Sequence, residues 1–307
     1  LAGAAAAGHE RRMGARPDIL CIGSVLWDVI GRAPRRMALG HDVPGRIERL
    51  PGGVAMNIAA ACLREGLRPA LLTVLGRDAE GRALADACAA MGLDTDHVTW
   101  ADDLQTDRYM AIEAENGLVA AVADAHSLEA AGDRILAPMR DGGLAAPGRP
   151  WRGLVALDGN LSEGLLAEIA ASDLFARADL RVAPASPGKA ARLAPLLGHA
   201  RGAVYLNRVE AGLICGEVFA DAPTAALALV GRGARRVLVT DGGAAMAEAD
   251  ADGTLTVLRP PQVSVCRVTG AGDTFMAAHI AAEARGAAGA AALEEALAAT
   301  ALYVSTA

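Results

Sequence analysis

No Gly-Lys-Ser or Gly-Lys-Thr occurs anywhere in the 307 residues, which excludes the phosphate loop of the Walker type. The first apolar run ends in Gly23-Ser24-Val25-Leu26, lacking the glycines of G-x-G-x-x-G, so a dinucleotide-dependent dehydrogenase loses its main support. Aromatic residues are only 3%, and a core must be built from Ala, Val, Leu and Ile. Basic residues are not in excess: 29 Lys and Arg stand against 36 Asp and Glu, a net charge of −7, which disfavours a nucleic-acid partner. No uncharged apolar run approaches the ~18 residues of a membrane span, so no membrane partner is expected. The five cysteines (Cys21, Cys62, Cys88, Cys215, Cys266) are odd in number and never form C-x-x-C. That disfavours a disulfide framework and a zinc site and points to a reducing cytoplasm. The six histidines show no metal-ligand spacing, and solvent-facing or capping roles are expected for them.

Residues 1–16 are rich in Ala, Gly and Arg without an apolar stretch of signal-peptide length, and read as a disordered or tag-like tail, with Met13 a candidate start. From residue 17 to 307 a single domain is expected. Short apolar runs at Ile19–Ile22, Ala70–Leu75, Leu154–Leu157, Leu180–Ala183, Ala203–Leu206 and Val237–Thr240 read as buried strands. Helical stretches such as Val54–Glu65, Ala79–Met91, Glu163–Ala171 and Ala222–Arg232 lie between them. The alternation predicts a doubly wound α/β fold around a mostly parallel sheet. Segments 29–50 and 106–123 break it as extended ribbon, expected to form one small antiparallel sheet, either a lid or a surface hairpin pair.

The strongest local signal is Val268-Thr269-Gly270-Ala271-Gly272-Asp273, after the strand-like Gln262–Cys266 and opening a helix through Met276–Arg285. Small residues admit a ligand to the backbone, and the free N–H groups of a helix N-terminus suit a phosphoryl group. An Asp there can accept a proton from an attacking hydroxyl, although a plain turn with Asp as a cap has the same pattern. Gly52-Gly53 leads into a helix bearing Asn57, whose amide suits a sugar diol or merely its own backbone. Asp28 follows the first strand, where open α/β sheets bind ligands.

Together these pieces resemble the ribokinase-like (PfkB) carbohydrate kinases from Asp18 onward, with Gly52-Gly53…Asn57 similar to the N-terminal signature and Thr269–Asp273 to the C-terminal one. Asn207-Arg208-Val209-Glu210 is similar to the family's N-x-x-E motif, and Thr240-Asp241-Gly242-Gly243 to its nucleotide-side turn. Within the family, Gly53–Ala59, Asp158-Gly159-Asn160-Leu161 and the ribbon ending in Asp124 look most like pseudouridine kinases. Met56 stands where those usually carry Arg, Arg267 where they carry Asn, and Asp107-Arg108 where the ribbon is usually small.

The resemblance implies ATP-dependent phosphorylation of the 5′-hydroxyl of a ribose-containing nucleoside, with pseudouridine expected and ribose or adenosine-like acceptors, or a non-catalytic sensor, as alternatives. Asp273 would be the base, with the N–H groups of Ala271, Gly272 and Asp273 in the Gly270–Asp273 turn stabilising the transferred charge. Asp28, Gly52, Gly53, Asn57 and Asp124 would hold the acceptor. Asn207, Thr240, Gly242, Gly243 and Thr269 would hold ATP, and Glu210 would act on Mg2+ through water; a monovalent cation such as K+ is a further expectation. The ribbon could pair two subunits. The Ala-rich helix 287–299 is expected to pack on the sheet, and a family member usually continues a little beyond Ala307.

Overall fold

The structure is a computed structural model, and it describes residues 16–38 and 40–306; apart from Arg16, the tail expected over 1–16 lies outside them. The strands are β1 (Ile19–Ile22), β2 (Leu26–Arg32), β3 (Arg46–Gly52), β4 (Pro69–Leu72), β5 (Val74–Gly76), β6 (Thr99–Ala101), β7 (Arg108–Ala114), β8 (Gly117–Asp124), β9 (Leu154–Asp158), β10 (Asp179–Ala183), β11 (Gly202–Asn207), β12 (Arg236–Thr240), β13 (Met246–Asp250) and β14 (Leu255–Leu258). The helices are α1 (Val54–Arg64), α2 (Ala79–Ala90), α3 (Ser127–Ala131), α4 (Ala137–Arg140), α5 (Glu163–Ala171), α6 (Arg208–Cys215), α7 (Ala222–Gly231), α8 (Ala271–Ala284) and α9 (Ala290–Ser305). Tight 3-10 segments run over Gly132–Leu136 and Pro187–Leu196.

The main sheet has the order β14-β13-β12-β11-β10-β9-β1-β4. It is parallel from β4 to β12 and turns antiparallel for β13 and β14. Its inner strands are continuously apolar because helices cover both faces. Ile19 and Cys21 face a core shared with α1, α2, α8 and α9, while Leu20 and Ile22 face one shared with α5, α6 and α7. The strand order reverses at β1, which pairs with β4 on one side and β9 on the other, so the crevice beyond the carboxyl ends of β1 and β9 is the topological switch point where such sheets bind ligands.

The small sheet has the order β3-β2-β7-β8. Two antiparallel hairpins, β2–β3 and β7–β8, join through a parallel seam between β2 and β7. Trp27 anchors it: the ring is 6% exposed, its Nε1 donates to Glu80 O at 3.1 Å, and Arg49 stacks on it at 4.2 Å.

Three expectations are corrected. Gln262–Cys266 forms no strand, because Pro260-Pro261 breaks the continuation from β14 and the segment is exposed. Its end is tied instead to α9 through Cys266 N to Val304 O at 2.7 Å. The last helix begins at Ala290 and packs mainly on α8 rather than on the sheet. His279 is not solvent-facing: it is fully buried on α8, with Nδ1 2.8 Å from Tyr205 Oη and Nε2 without a partner among the described residues. Burial drops its pKa to about 4, which keeps the ring neutral.

Candidate active site

At the switch point, Ser24 and Asp158 meet. The Ser24 amide donates to Asp158 Oδ2 at 2.8 Å and its hydroxyl donates to the same oxygen, while Val54 N donates to Ser24 Oγ at 3.0 Å. The turn after β1 therefore caps the start of α1. Gly53 precedes that helix with φ +95°, and a Cβ there would fall 2.5 Å from Ser24 O. At Gly52 a Cβ would fall 2.1 Å from Asp28 Oδ2, so the Asp28 carboxylate lies directly on the glycine pair. Burial raises Asp28 to about 6.

Asn57 stands on the first turn of α1, its backbone N donating to Gly53 O at 2.8 Å. Asp273 lies on the first turn of α8, whose N-cap Gly270 is left-handed at φ +80°. Burial raises its pKa to about 7, helped by the charges of Asp158 and Glu210 and opposed by the Asn57 side chain. Ala271 N donates to Val268 O at 3.0 Å, which corrects the expectation that three amides of this turn are free. Those of Gly272 and Asp273 have no acceptor among the described residues, and they form the anion-ready end of the helix.

Asn207 caps α6 and Glu210 completes a capping box: Asn207 N donates to Glu210 Oε2 at 2.8 Å and Glu210 N to Asn207 Oδ1 at 2.9 Å. Burial raises Glu210, and the bond from Asn207 N to its carboxylate opposes the rise. The box occupies one carboxylate oxygen and leaves Oε1 unbonded among the described residues. Arg208 Nε pairs with Asp241 at 2.9 Å, fixing this helix to the Thr240–Gly243 turn.

Beside that turn opens a cleft of about 250 Å³. Thr240, Gly242 and Gly243 lie along one side, Val263 and Val265 along another, and Leu297, Ala301 and Val304 of α9 form an apolar wall. Ala271 and Gly272 line it too, so the cleft borders the Gly270–Asp273 turn. Thr269 lies at the same turn, its carbonyl accepting from Tyr303 Oη at 3.0 Å. The wall from α9 and the 260–265 segment had no signal in the sequence, since neither carries a motif.

Asp124 stands apart. It ends β8, exposed, and pairs with Arg108 at 3.4 Å on the small sheet. Met56 is buried in the core, and Arg267 stacks on Tyr303 at 3.8 Å. No group of three or more His, Cys, Asp or Glu able to hold a metal occurs among the described residues.

The sequence pattern of the pfkB family carbohydrate kinases matches residues 16–307. The chain belongs to that family. This kinase is 27% identical to the pseudouridine kinase of Escherichia coli (strain K12) over 263 residues, 84% of its length and 81% of the relative's. A carbohydrate kinase from Agrobacterium tumefaciens is 27% identical, with TM-score 0.78 over 95% of this chain and 92% of that one. A ribokinase from Arabidopsis thaliana, solved with ribose and ATP, has TM-score 0.75 at 21% identity over 95% and 94%, a likeness of fold. This pfkB kinase is thus a phosphotransferase acting on a sugar or nucleoside. Its doubly wound sheet and small second sheet are the ribokinase-like architecture. No helix among the described residues is long and apolar enough to cross a membrane.

Proposed function

We propose that this kinase transfers the γ-phosphoryl group of ATP to the 5′-hydroxyl of a ribose-containing nucleoside, with pseudouridine as the acceptor. The observation that carries the chemistry is Asp273: a carboxylate raised to about 7 beside two unbonded amides. A base with a pKa near working pH is suited to taking a hydroxyl proton, and the Gly272 and Asp273 amides offset charge on the transferred group. Asp28 and Asn57 hold ribose hydroxyls against the Gly52-Gly53 backbone. The 27% identity with the Escherichia coli pseudouridine kinase supports the acceptor.

The apolar cleft fits an adenine base and the turns at its ends fit phosphates. Asn207, Thr240, Gly242, Gly243 and Thr269 would hold ATP. Glu210, with one carboxylate oxygen outside its capping box, suits Mg2+ met through water, since Mg2+ keeps much of its hydration and leans on phosphates. When bound, ATP with Mg2+ supplies the phosphoryl group and its charge balance.

The small sheet serves as a lid over the acceptor, because β2 carries Asp28 and its partner β3 ends in Gly52. Asp124 belongs to its rim. Ile47, Met110, Ile112 and Val122 share one exposed face of it, which suits pairing of two subunits. All five cysteines are free thiols, in keeping with the cytoplasm.

The test is ATP-dependent phosphorylation of pseudouridine, uridine, adenosine, ribose and fructose 6-phosphate at matched concentrations. Preference for pseudouridine is expected. Preference for another acceptor moves the substrate and keeps the chemistry; no turnover of any overturns the reading.

A further inference from the structure

The sequence contains a single lysine, Lys189, against 28 arginines. It lies in the 3-10 segment Pro187–Leu196 after β10, half-buried, and its Nζ donates to Asn160 Oδ1 at 2.6 Å. The bond crosses the switch-point side of the sheet, where Gly159 N donates to Ala183 O at 2.9 Å and holds the ends of β9 and β10 together. Asn160 continues the chain of contacts: its Nδ2 donates to Ser24 Oγ at 2.9 Å and its backbone N to Asp158 Oδ1 at 2.8 Å. Ser24 Oγ accepts from the first residue of α1, the helix that bears Asn57. Lys189 therefore stands at the far end of one polar relay whose near end is the proposed ribose site.

Two features separate it from a structural cation. An ammonium has three donors, and only one is engaged among the described residues. No carboxylate pairs with it among them, whereas its neighbour Arg192 is committed to Glu129 at 2.6 Å and to the carbonyls of Asn160 and Leu161. The acids of the crevice are Asp28, Asp158, Asp273 and Glu210, and burial pushes each of them upward. An unpaired, donor-only group on their border is placed to meet an oxygen brought in by a ligand.

We propose that Lys189 is a specificity-determining residue of the acceptor site, its ammonium donating to a carbonyl oxygen of the nucleobase. The inference rests on the nucleoside reading above and deepens it. A donor-only group donates to a carbonyl and turns away an amino group at the same ring position, because the amino group would leave two donors facing each other. The relay through Asn160 then ties base recognition to the position of α1.

The experiment has two arms. In the first, kcat and KM are measured for pseudouridine and for its 4-amino analogue with the native enzyme, Lys189→Met and Lys189→Arg. Lys189→Met is expected to narrow the preference for the carbonyl base at least tenfold, mainly through KM, and Lys189→Arg to restore part of it. A parallel fall for both acceptors overturns the assignment. The second arm uses native enzyme without ATP, so it depends on neither turnover nor folding of a variant. A single lysine makes acylation by an amine-selective reagent site-specific once the N-terminal peptide is set aside by mass spectrometry. Pseudouridine is expected to protect Lys189 and ribose at equal occupancy is not. Equal protection by both, or by neither, overturns the assignment, while the acceptor panel judges the kinase reading separately.

Discussion

Helix α8 carries two acids ten positions apart, Asp273 and Glu283, in opposite electrostatic surroundings. Around Asp273 the nearest charges are other carboxylates, Asp158 and Glu210, and its pKa is raised to about 7. Burial pushes Glu283 up as well, but Arg181 and Arg236 more than offset it and the group is lowered. Glu283 Oε1 is 2.7 Å from Arg236, Oε2 pairs with Arg181, and Arg181 also reaches Asp179 at 2.7 Å and Tyr205 Oη at 3.0 Å. One end of the helix is thus an anchor of matched charges. The other keeps an unmatched carboxylate that gains by taking a proton. The difference teaches how the same residue type holds a helix in place at one end and stays reactive at the other.

The largest effect should come from removing the unmatched group. Asp273→Ala is expected to lower kcat by about 10²–10⁴ with little change in acceptor KM, the range for loss of a general base. In the native enzyme the base works only when unprotonated. A pH profile of kcat/KM should therefore fall about tenfold per unit below pH ~7. An equal effect on kcat and KM would assign Asp273 to binding. Next in size is the anchor: Arg181→Met should cost about 3 kcal/mol in denaturant unfolding, because Glu283 and Tyr205 lose a buried partner. No change would mean that Arg236 alone holds the helix.

The smallest effect sharpens the contrast. Asp273 has its folded pKa above the unfolded one, so its contribution to stability is full below pH ~4 and lost as pH rises through ~7. Asp273→Asn should then raise Tm at pH 8 by about 1–2 °C, as about 1 kcal/mol does in a chain of this size. The gain should shrink toward pH 5. A gain that did not change with pH would point to packing instead of charge.

The two ends of α8 also differed in what the sequence disclosed. Asp273 was legible because its turn, Gly270-Ala271-Gly272, is local and small. The anchor was not, since Arg181, Tyr205 and Arg236 come from three separate strands, and its one visible sign was the i,i+4 spacing of His279 and Glu283. Inner strands such as Ala203–Leu206 announced themselves as continuous apolar runs. The β13–β14 hairpin did not, because Met246-Ala247-Glu248-Ala249-Asp250 has no β-branched residue. Conversely, Gln262–Cys266 alternates like a strand but follows two prolines and has no partner edge. Asp28, Gly52, Gly53 and Asn57 were readable as motifs, whereas the Ser24–Asp158–Asn160–Lys189 relay needed the parallel register of β1, β9 and β10 to bring it together.

The parallel seam of the small sheet sets an order of events during folding. Each hairpin closes over a short span of chain, but the seam joins Trp27–Arg32 to Arg108–Glu113, roughly 80 residues downstream. Between them run β4, β5, β6, α1 and α2, all packed on or beside the main sheet. The hairpins can nucleate early and independently, while the seam waits for those units to bring its two sides into reach. The surface that carries Asp28 is completed late, after the scaffold that it covers.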